Sequence, residues 1–459
     1  MRIILLYLLA TANLIAIIHI GLYMIGANAY DILRFKKAHE LSKRKLKTST
    51  KEPKYDLVSV VIPAHNEAKV IRRTINSVLA SSYSNFEIII INDGSTDKTE
   101  TIVHDYISRI HETTKLRVAT YLGRDGRAFK FKRRYIRVYN NQNRIKLISQ
   151  RNTGKASAMN NAMKNEVRGR YVMCLDADSI LHPQAIERAV SYFKDNHVIG
   201  VAANVRVIEN KTLLGKVQRF EHMIGYRSKK FYSLTNSEFI IGGVASTYRR
   251  SILRKVKFYD DDTMTEDIGL SLKIIAKEGN RKHRVIYAAD VLAFTEGVQT
   301  FKDLMKQRYR WKMGNLQNLY KYRHLIGKYD PESYSRALTM YRLPMAILSE
   351  ILLIIDPILI SYIIYLSIAY HTLGIPLGAY LTITVYTLCV LWPDEHLNIR
   401  EKLKMSLTAS VIYILFYTMD IVQVCAIFKS LFNYKKIIHR ETSSSVWIPP
   451  TRSGQTVRI

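Results

Sequence analysis

From residue 3 to residue 30 the chain carries no Lys, Arg, Asp or Glu, a run longer than the roughly 20 residues that cross a bilayer as a helix. A secretory signal peptide has an apolar core of only about 7–15 residues. The pattern therefore predicts an N-terminal membrane span over residues 1–30. Apolar stretches return only late, at 343–370, 373–392 and 407–428. Asp356 and Asp420 fall inside the first and last of these. An ionisable group in hydrocarbon is costly unless it faces protein or water, so these two mark a lined path or interfacial helices.

Between the first and the late apolar stretches the pattern changes period. Short β-branched runs at 58–63, 86–92, 145–149, 171–175 and 198–207 alternate with helical patterns near 68–81, from 97 onward, and at 156–165 and 183–193. Strands alternating with amphipathic helices signal βαβ units. The expectation is an open, doubly wound parallel sheet that binds ligands beyond the carboxyl ends of its strands. Pro63-Ala64-His65-Asn66-Glu67, Asn92-Asp93-Gly94-Ser95 and Asp176-Ala177-Asp178 all stand there. Residues 116–143 interrupt the rhythm as an inserted hairpin, turning at Arg124-Asp125-Gly126-Arg127, with Lys130, Lys132, Arg133, Arg134 and Arg137 in its second arm. That arm reads as a polyanion or headgroup contact, or as a solvated basic face. The predicted layout is a span (1–30), a basic linker (31–56), an α/β domain (57–330), membrane or interfacial helices (331–430) and a basic polar tail (431–459).

Charge adds an orientation. Lys and Arg number 69 against 38 Asp and Glu, a formal charge of +31, and Arg34, Lys36, Lys37, Lys43, Arg44, Lys45 and Lys47 follow the first span directly. The positive-inside rule places that cluster and the central domain in the cytosol, in a multi-pass protein of the plasma membrane. One leading and three trailing spans put the C-terminus outside, whereas Lys429, Lys435, Lys436 and Arg440 argue for inside, so one late segment is expected to be interfacial. Cys174, Cys389 and Cys425 have neither disulfide nor zinc-ligand spacing.

The chemistry-bearing residues follow strand ends and helix starts. Asp176 and Asp178 emerge together after Tyr-Val-Met-Cys-Leu. Paired carboxylates beside a diphosphate suit Mg²⁺ or Mn²⁺. Asp93 ends an Ile-rich strand, free to accept a hydrogen bond such as that of a uracil imide. Lys155 opens a helix, where its charge and the helix N-terminus favour anions. Thr265-Glu266-Asp267 reads as an N-cap with first-turn acids, or with Asp267 as a general base. In Gln307-Arg308-Tyr309-Arg310-Trp311, positions 307, 310 and 311 share a helical face, with Arg308 and Lys312 off it. The same helix reads as one lying on a membrane surface. Singly, each motif also reads as a cap, turn or solvated charge.

In this order the motifs resemble those of the processive family 2 glycosyltransferases: an aspartate after a strand, D-x-D, an E-D pair and Q-x-x-R-W. The runs Leu213-Leu214-Gly215-Lys216-Val217-Gln218, Gly242-Gly243 and Met264-Thr265-Glu266-Asp267-Ile268 look most like bacterial poly-β-1,6-N-acetylglucosamine synthases, relatives of the hyaluronan, chitin and cellulose synthases. The resemblance implies a GT-A (Rossmann-like) α/β domain flanked by transmembrane helices, Mg²⁺ or Mn²⁺, and inverting transfer of a sugar, N-acetylglucosamine first, from a UDP-sugar to a growing β-linked polysaccharide coupled to export. Ala64, Glu67, Asp93, Lys155 and Asp176 would then hold the nucleotide-sugar, and Asp178 with Asp176 the metal. Asp267 would be the base with Glu266 beside it, and Gln307, Arg310 and Trp311 would hold diphosphate and acceptor. The implied partners are the donor, a polysaccharide or lipid acceptor, the bilayer and a small membrane accessory subunit, with no nucleic acid. Two features depart from the family, the long 116–143 insertion and the single leading span. Single transfer to a lipid is the alternative reading, and a membrane-anchored polyanion-binding protein is a third.

Overall fold

The computed structural model describes residues 2–45, 56–110, 117–121, 133–139, 144–208 and 212–440, with 450, 452 and 454. The 124–127 turn, Lys130, Lys132 and Lys47 lie outside these residues, as do the side chains of the other basic residues of the hairpin and of 36–45. In chain order come α1 (Arg2–Lys45), β1 (Val58–Ala64), α2 (Ile71–Leu79), β2 (Phe86–Asp93), α3 (Thr99–Ile110), β3 (Arg117–Tyr121), β4 (Arg133–Tyr139), β5 (Arg144–Gln150), α4 (Lys155–Asn165) and β6 (Tyr171–Cys174). Next are β7 (Ile180–Leu181), α5 (Ala185–Tyr192), β8 (Val198–Val207), α6 (Leu213–Leu234), β9 (Ser246–Arg249), α7 (Arg250–Lys255), α8 (Glu266–Glu278) and β10 (Arg284–Thr295). The chain continues through α9 (Phe301–Lys321), α10 (Leu343–Ala369), α11 (Gly374–Leu391), α12 (Ile399–Phe432) and α13 (Tyr434–Ile438).

The strands form one sheet in the order β3-β4-β5-β2-β1-β6-β9-β8-β10-β7. Its centre, β5-β2-β1-β6, is parallel as expected. The whole sheet is mixed, because β9 runs antiparallel between β6 and β8 and β7 runs antiparallel on β10. The 116–143 hairpin joins the sheet edge, β3 pairing with β4 and β4 with β5, both antiparallel. β2 is buried at every position, which is why its centre, Ile88 to Ile91, reads as a continuous apolar run rather than an alternation. Ile71, Ile75, Val103 and Ala185 cover one face of the sheet, and Ala158, Met159, Leu253 and Leu270 the other. Strand travel reverses across β1, with β2 on one side and β6 on the other, which opens a crevice at their carboxyl ends.

The opposite end of these strands holds a buried charge cluster. Lys146, 2% exposed, lies 3.4 Å from Glu87 Oε2 and 3.6 Å from Glu166 Oε2, and donates to the Glu166 carbonyl at 3.0 Å. Glu87 Oε1 accepts from Ser59 Oγ at 2.6 Å and from the Arg168 amide at 2.8 Å, binding β1, β2 and the turn before β6 together.

Among the described residues three helical stretches are long and apolar enough to cross a membrane, Leu14–Arg34, Ala337–Ala369 and Leu415–Phe432, and Pro376–Leu391 is a shorter apolar helix. Ion pairs latch them to the sheet domain. Asp31 of α1 meets Arg227 of α6 at 2.7 Å, and Asp394, between α11 and α12, meets Arg206 of β8 at 2.6 Å. Both ends of α12 return to the domain, Glu401 lying 3.3 Å from Arg219 and the Lys436 carbonyl just past its end accepting from Gln317 Nε2 at 3.0 Å. Beyond α13, Arg440 pairs with Asp262 at 2.7 Å.

Replacing Lys146 with Met removes the ammonium that lies against both Glu87 and Glu166 and strands two buried carboxylates. The expected loss is about 3–5 kcal/mol, read as a lowered unfolding midpoint of the detergent-solubilised chain; an unchanged midpoint would contradict the assignment.

Candidate active site

Loops from the carboxyl ends of β1, β2, β5 and β6 converge on the crevice. Gly94 has φ +65°, and a Cβ there would lie 2.5 Å from the Asn152 amide nitrogen, so only glycine lets the β2 turn pass against the loop after β5. That loop wraps the Asp93 carboxylate. Oδ1 accepts from Gln150 Nε2 at 2.8 Å and the Thr153 amide at 3.0 Å, and Oδ2 from the Gly154 amide at 2.9 Å. Asp93 is thus not the free acceptor expected from sequence. Both its oxygens are engaged by this loop, and Oδ2 keeps one open lone-pair direction.

The loop ends where α4 begins, at Lys155. Its Nζ lies 2.8 Å from Asp176 Oδ1 and 3.1 Å from Glu266 Oε1. Burial alone would lower the pKa of Lys155, but the carboxylates of Asp176, Glu266 and Asp267 hold it above its ordinary value. Asp176 is held below its usual range, burial being outweighed by Lys155, Arg310 and Arg452. Asp267 moves the other way: burial and the neighbouring Glu266 push it up to about 6, with Lys155 and Arg310 pulling back. Two carboxylates in one crevice are thereby driven apart in basicity, the arrangement that separates a charge-holding group from a proton acceptor.

Asp178 is 7% exposed, and its Oδ2 lies 2.6 Å from Arg452 Nη1. The same guanidinium grips Glu67 in bidentate fashion, Nε to Oε2 at 3.0 Å and Nη2 to Oε1 at 2.6 Å. Nearby, the Gly454 amide donates to Glu296 Oε1 at 3.0 Å. Burial raises Glu67 to about 7, with Asp178 and Asp176 adding to the rise and Arg452 opposing it.

Ala64, Glu67, Asp93, Lys155, Asp176, Asp178, Glu266, Asp267, Gln307, Arg310 and Trp311 all line one cavity of about 680 Å³. It runs from His65 and Asp93 past Asp267 to Glu350 of α10 and Gln423 of α12. Among the described residues no three His, Cys, Asp or Glu side chains converge as a ready-made metal cluster.

The model of the family described as "Glycosyltransferase like family 2" matches residues 135–314, and that of "Glycosyl transferase family 2" matches residues 59–121. The chain carries glycosyltransferase family 2 domains. It is 28% identical over 322 residues to a poly-β-1,6-N-acetyl-D-glucosamine synthase of Staphylococcus epidermidis, covering 70% of this chain and 66% of that one. Against a synthase of the same name from Staphylococcus aureus the identity is 30% over 260 residues, covering 56% and 54%. The matches thus span less than two thirds of these relatives. Among solved structures, mannosyltransferase PcManGT from Pyrobaculum calidifontis, in complex with GDP-Man and Mn²⁺, aligns at 18% identity and TM-score 0.49, covering 90% of this chain and 99% of that one. Staphylococcus aureus TarS with UDP-GlcNAc aligns at 15% and TM-score 0.36, covering 58% and 71%.

In this family 2 chain three parts of the site escaped the sequence reading. Arg452 sits in the tail, far from any motif. Arg308 and Lys312 were placed off the Gln307, Arg310 and Trp311 face, yet both line the cavity. Arg308 pairs with Glu221 of α6 and Lys312 with Glu350 of α10, each at 2.6 Å, because α9 is flanked on both sides and has no solvent face there. The third part is the seam holding α9 to the start of α8. Thr265 was read as the cap of α8, but its side chain makes no cap bond; its Oγ1 instead accepts from Asn318 Nδ2 of α9 at 3.1 Å. Met264 donates its amide to Gln317 Oε1 at 2.9 Å. Gly314 permits the contact, since a Cβ there would lie 2.8 Å from the Thr265 amide nitrogen.

Gly314→Ala is therefore expected to push α9 from Glu266 and Asp267. A misplacement of about 1 Å costs on the order of 100-fold in rate, measurable as nucleotide release from a nucleotide-sugar; wild-type turnover in the variant would contradict the seam's role.

Proposed function

We propose that this chain is a membrane-bound inverting glycosyltransferase that moves N-acetylglucosamine from UDP-N-acetylglucosamine onto a growing β-linked polysaccharide coupled to export. The observation that carries the reading is the single cavity joining Asp93, Asp176 and Asp178 to Asp267 and onward to α10 and α12. A donor crevice open toward apolar helices suits a product that leaves along them. The names of the staphylococcal relatives supply the sugar and linkage.

The loop of residues 150–154 and Asp93 would hold the uracil end. Lys155 and Arg310 would face the diphosphate, guanidinium matching phosphate oxygens in geometry as well as charge. Asp176 and Asp178 would hold Mg²⁺ or Mn²⁺, and they fit a cation, since positively charged Lys155 and Arg452 lie against them. When bound, the ion would neutralise charge on the departing diphosphate. An acceptor hydroxyl placed by Gln307 and Trp311 attacks the anomeric carbon from the face opposite UDP. The new carbon–oxygen bond forms as the bond to phosphate breaks, UDP carries away the electron pair, and the hydroxyl proton passes to Asp267. No covalent sugar–enzyme intermediate is needed.

The latches on the sheet domain also support a topology. With residues 394–396 and 440 held against the domain, α10 and α11 make one outward and return crossing, and α12 lies along the domain at the interface. The tail then shares the cytosolic side with the donor crevice, as its lysines suggested, and Arg452 reaches the pocket without crossing the bilayer.

Asp267→Asn is expected to lower kcat by about 10²–10⁴, measured as UDP released from UDP-N-acetylglucosamine by membranes supplied with Mn²⁺. Because the base must be deprotonated and its pKa is raised to about 6, wild-type activity should fall as pH drops through 6, and the variant should lose that limb. Equal UDP release in both proteins would remove Asp267 as the base.

A further inference from the structure

On α9, Arg308 is 3% exposed, which is unusual for a charged residue unless it is paired. One partner is Glu221 Oε2, 2.6 Å away on α6. Its guanidinium carbon also lies 4.4 Å from the centroid of the Trp311 ring, one helical turn on. Burial pushes Glu221 up while Arg308 and Lys312 draw it down; burial and Arg308 push the adjacent His222 down to about 4. At neutral pH His222 is thus uncharged and does not compete for Glu221.

Arg308 and Trp311 both line the cavity, with the guanidinium standing against the indole ring. We propose that Glu221 is a positioning residue for the acceptor: by fixing the Arg308 guanidinium it holds the Trp311 ring at the angle at which a sugar stacks. This rests on the reading of Trp311 as an acceptor surface. A desolvated cation–π contact is stronger than an exposed one, and a planar guanidinium orients a ring in a way an ammonium does not. The same α6 fixes the approach to α9, since Gln218 Nε2 donates to the Val298 carbonyl at 3.0 Å and its Oε1 accepts from the Val298 amide at 3.1 Å. A loss of Trp311 orientation is therefore separable from a loss of helix docking.

The test measures kcat and KM for a β-linked N-acetylglucosamine oligosaccharide acceptor, alongside acceptor-independent UDP release. Trp311→Ala, Glu221→Gln and Arg308→Lys should each raise the acceptor KM by about ten-fold, and in Glu221→Gln and Arg308→Lys the donor KM and acceptor-independent UDP release of the folded protein should stay near wild type. The exchange Glu221→Arg with Arg308→Glu restores a pair between α6 and α9 but takes the guanidinium off the ring, so it should not recover acceptor KM. Recovery in the exchanged protein would reduce the pair to helix docking and overturn the proposal. So would an unchanged acceptor KM in both Glu221→Gln and Arg308→Lys while Trp311→Ala raises it. An unchanged KM in Trp311→Ala would instead overturn the acceptor reading itself, and the proposal with it.

Discussion

Lys155 Nζ stands 2.8 Å from Asp176 and 3.1 Å from Glu266, joining the end of the parallel sheet to the start of α8. The crevice concentrates Glu67, Asp176, Asp178, Glu266 and Asp267, and like charges at such density repel strongly where water is scarce. On the proposed reading, the Lys155 ammonium between the two halves would let the carboxylates on the donor side stay ionised while Asp267 remained basic enough to take a proton. Arg310 from α9 and Arg452 from the tail complete the balance. The site is thus assembled from widely separated stretches of chain, and its acid–base behaviour belongs to the assembly rather than to any one motif.

The helices beyond the sheet serve that same cavity. α9 supplies Gln307, Arg310 and Trp311 on one side and, through Gly314, Gln317 and Asn318, grips the segment carrying Glu266 and Asp267 on another. α6 and α10 brace α9 through Glu221 and Glu350. A movement of these helices would therefore be felt at Glu266 and Asp267, a direct physical route from helix packing to the geometry of the cavity.

Much of the central fold was legible because its strands are buried on both faces: the isoleucine run of β2 and the ten residues of β8 announce themselves by composition. β7, β9 and β10 did not. β7 has two residues and β9 four, too few to show a period, and β10 is broken by a register shift between Ala288 and Leu292 around the polar Asp290. The candidate site was legible as an ordered set of motifs, since each residue ends a strand or opens a helix. What sequence could not supply was engagement. Asp93 looked free because the amides that occupy it lie some 60 residues on, and Arg452 meets Glu67 across 385 positions. Arg308 was placed off the Gln307, Arg310 and Trp311 face because a helical wheel knows nothing of two flanking helices.

The account stands or falls on what membranes bearing this chain make. Incubated with radiolabelled UDP-N-acetylglucosamine and Mn²⁺, they should yield UDP together with a labelled product of high mass that a β-1,6-specific N-acetylglucosaminidase degrades. A product that is only a single-sugar lipid, or no UDP release from any nucleotide-sugar, would contradict it.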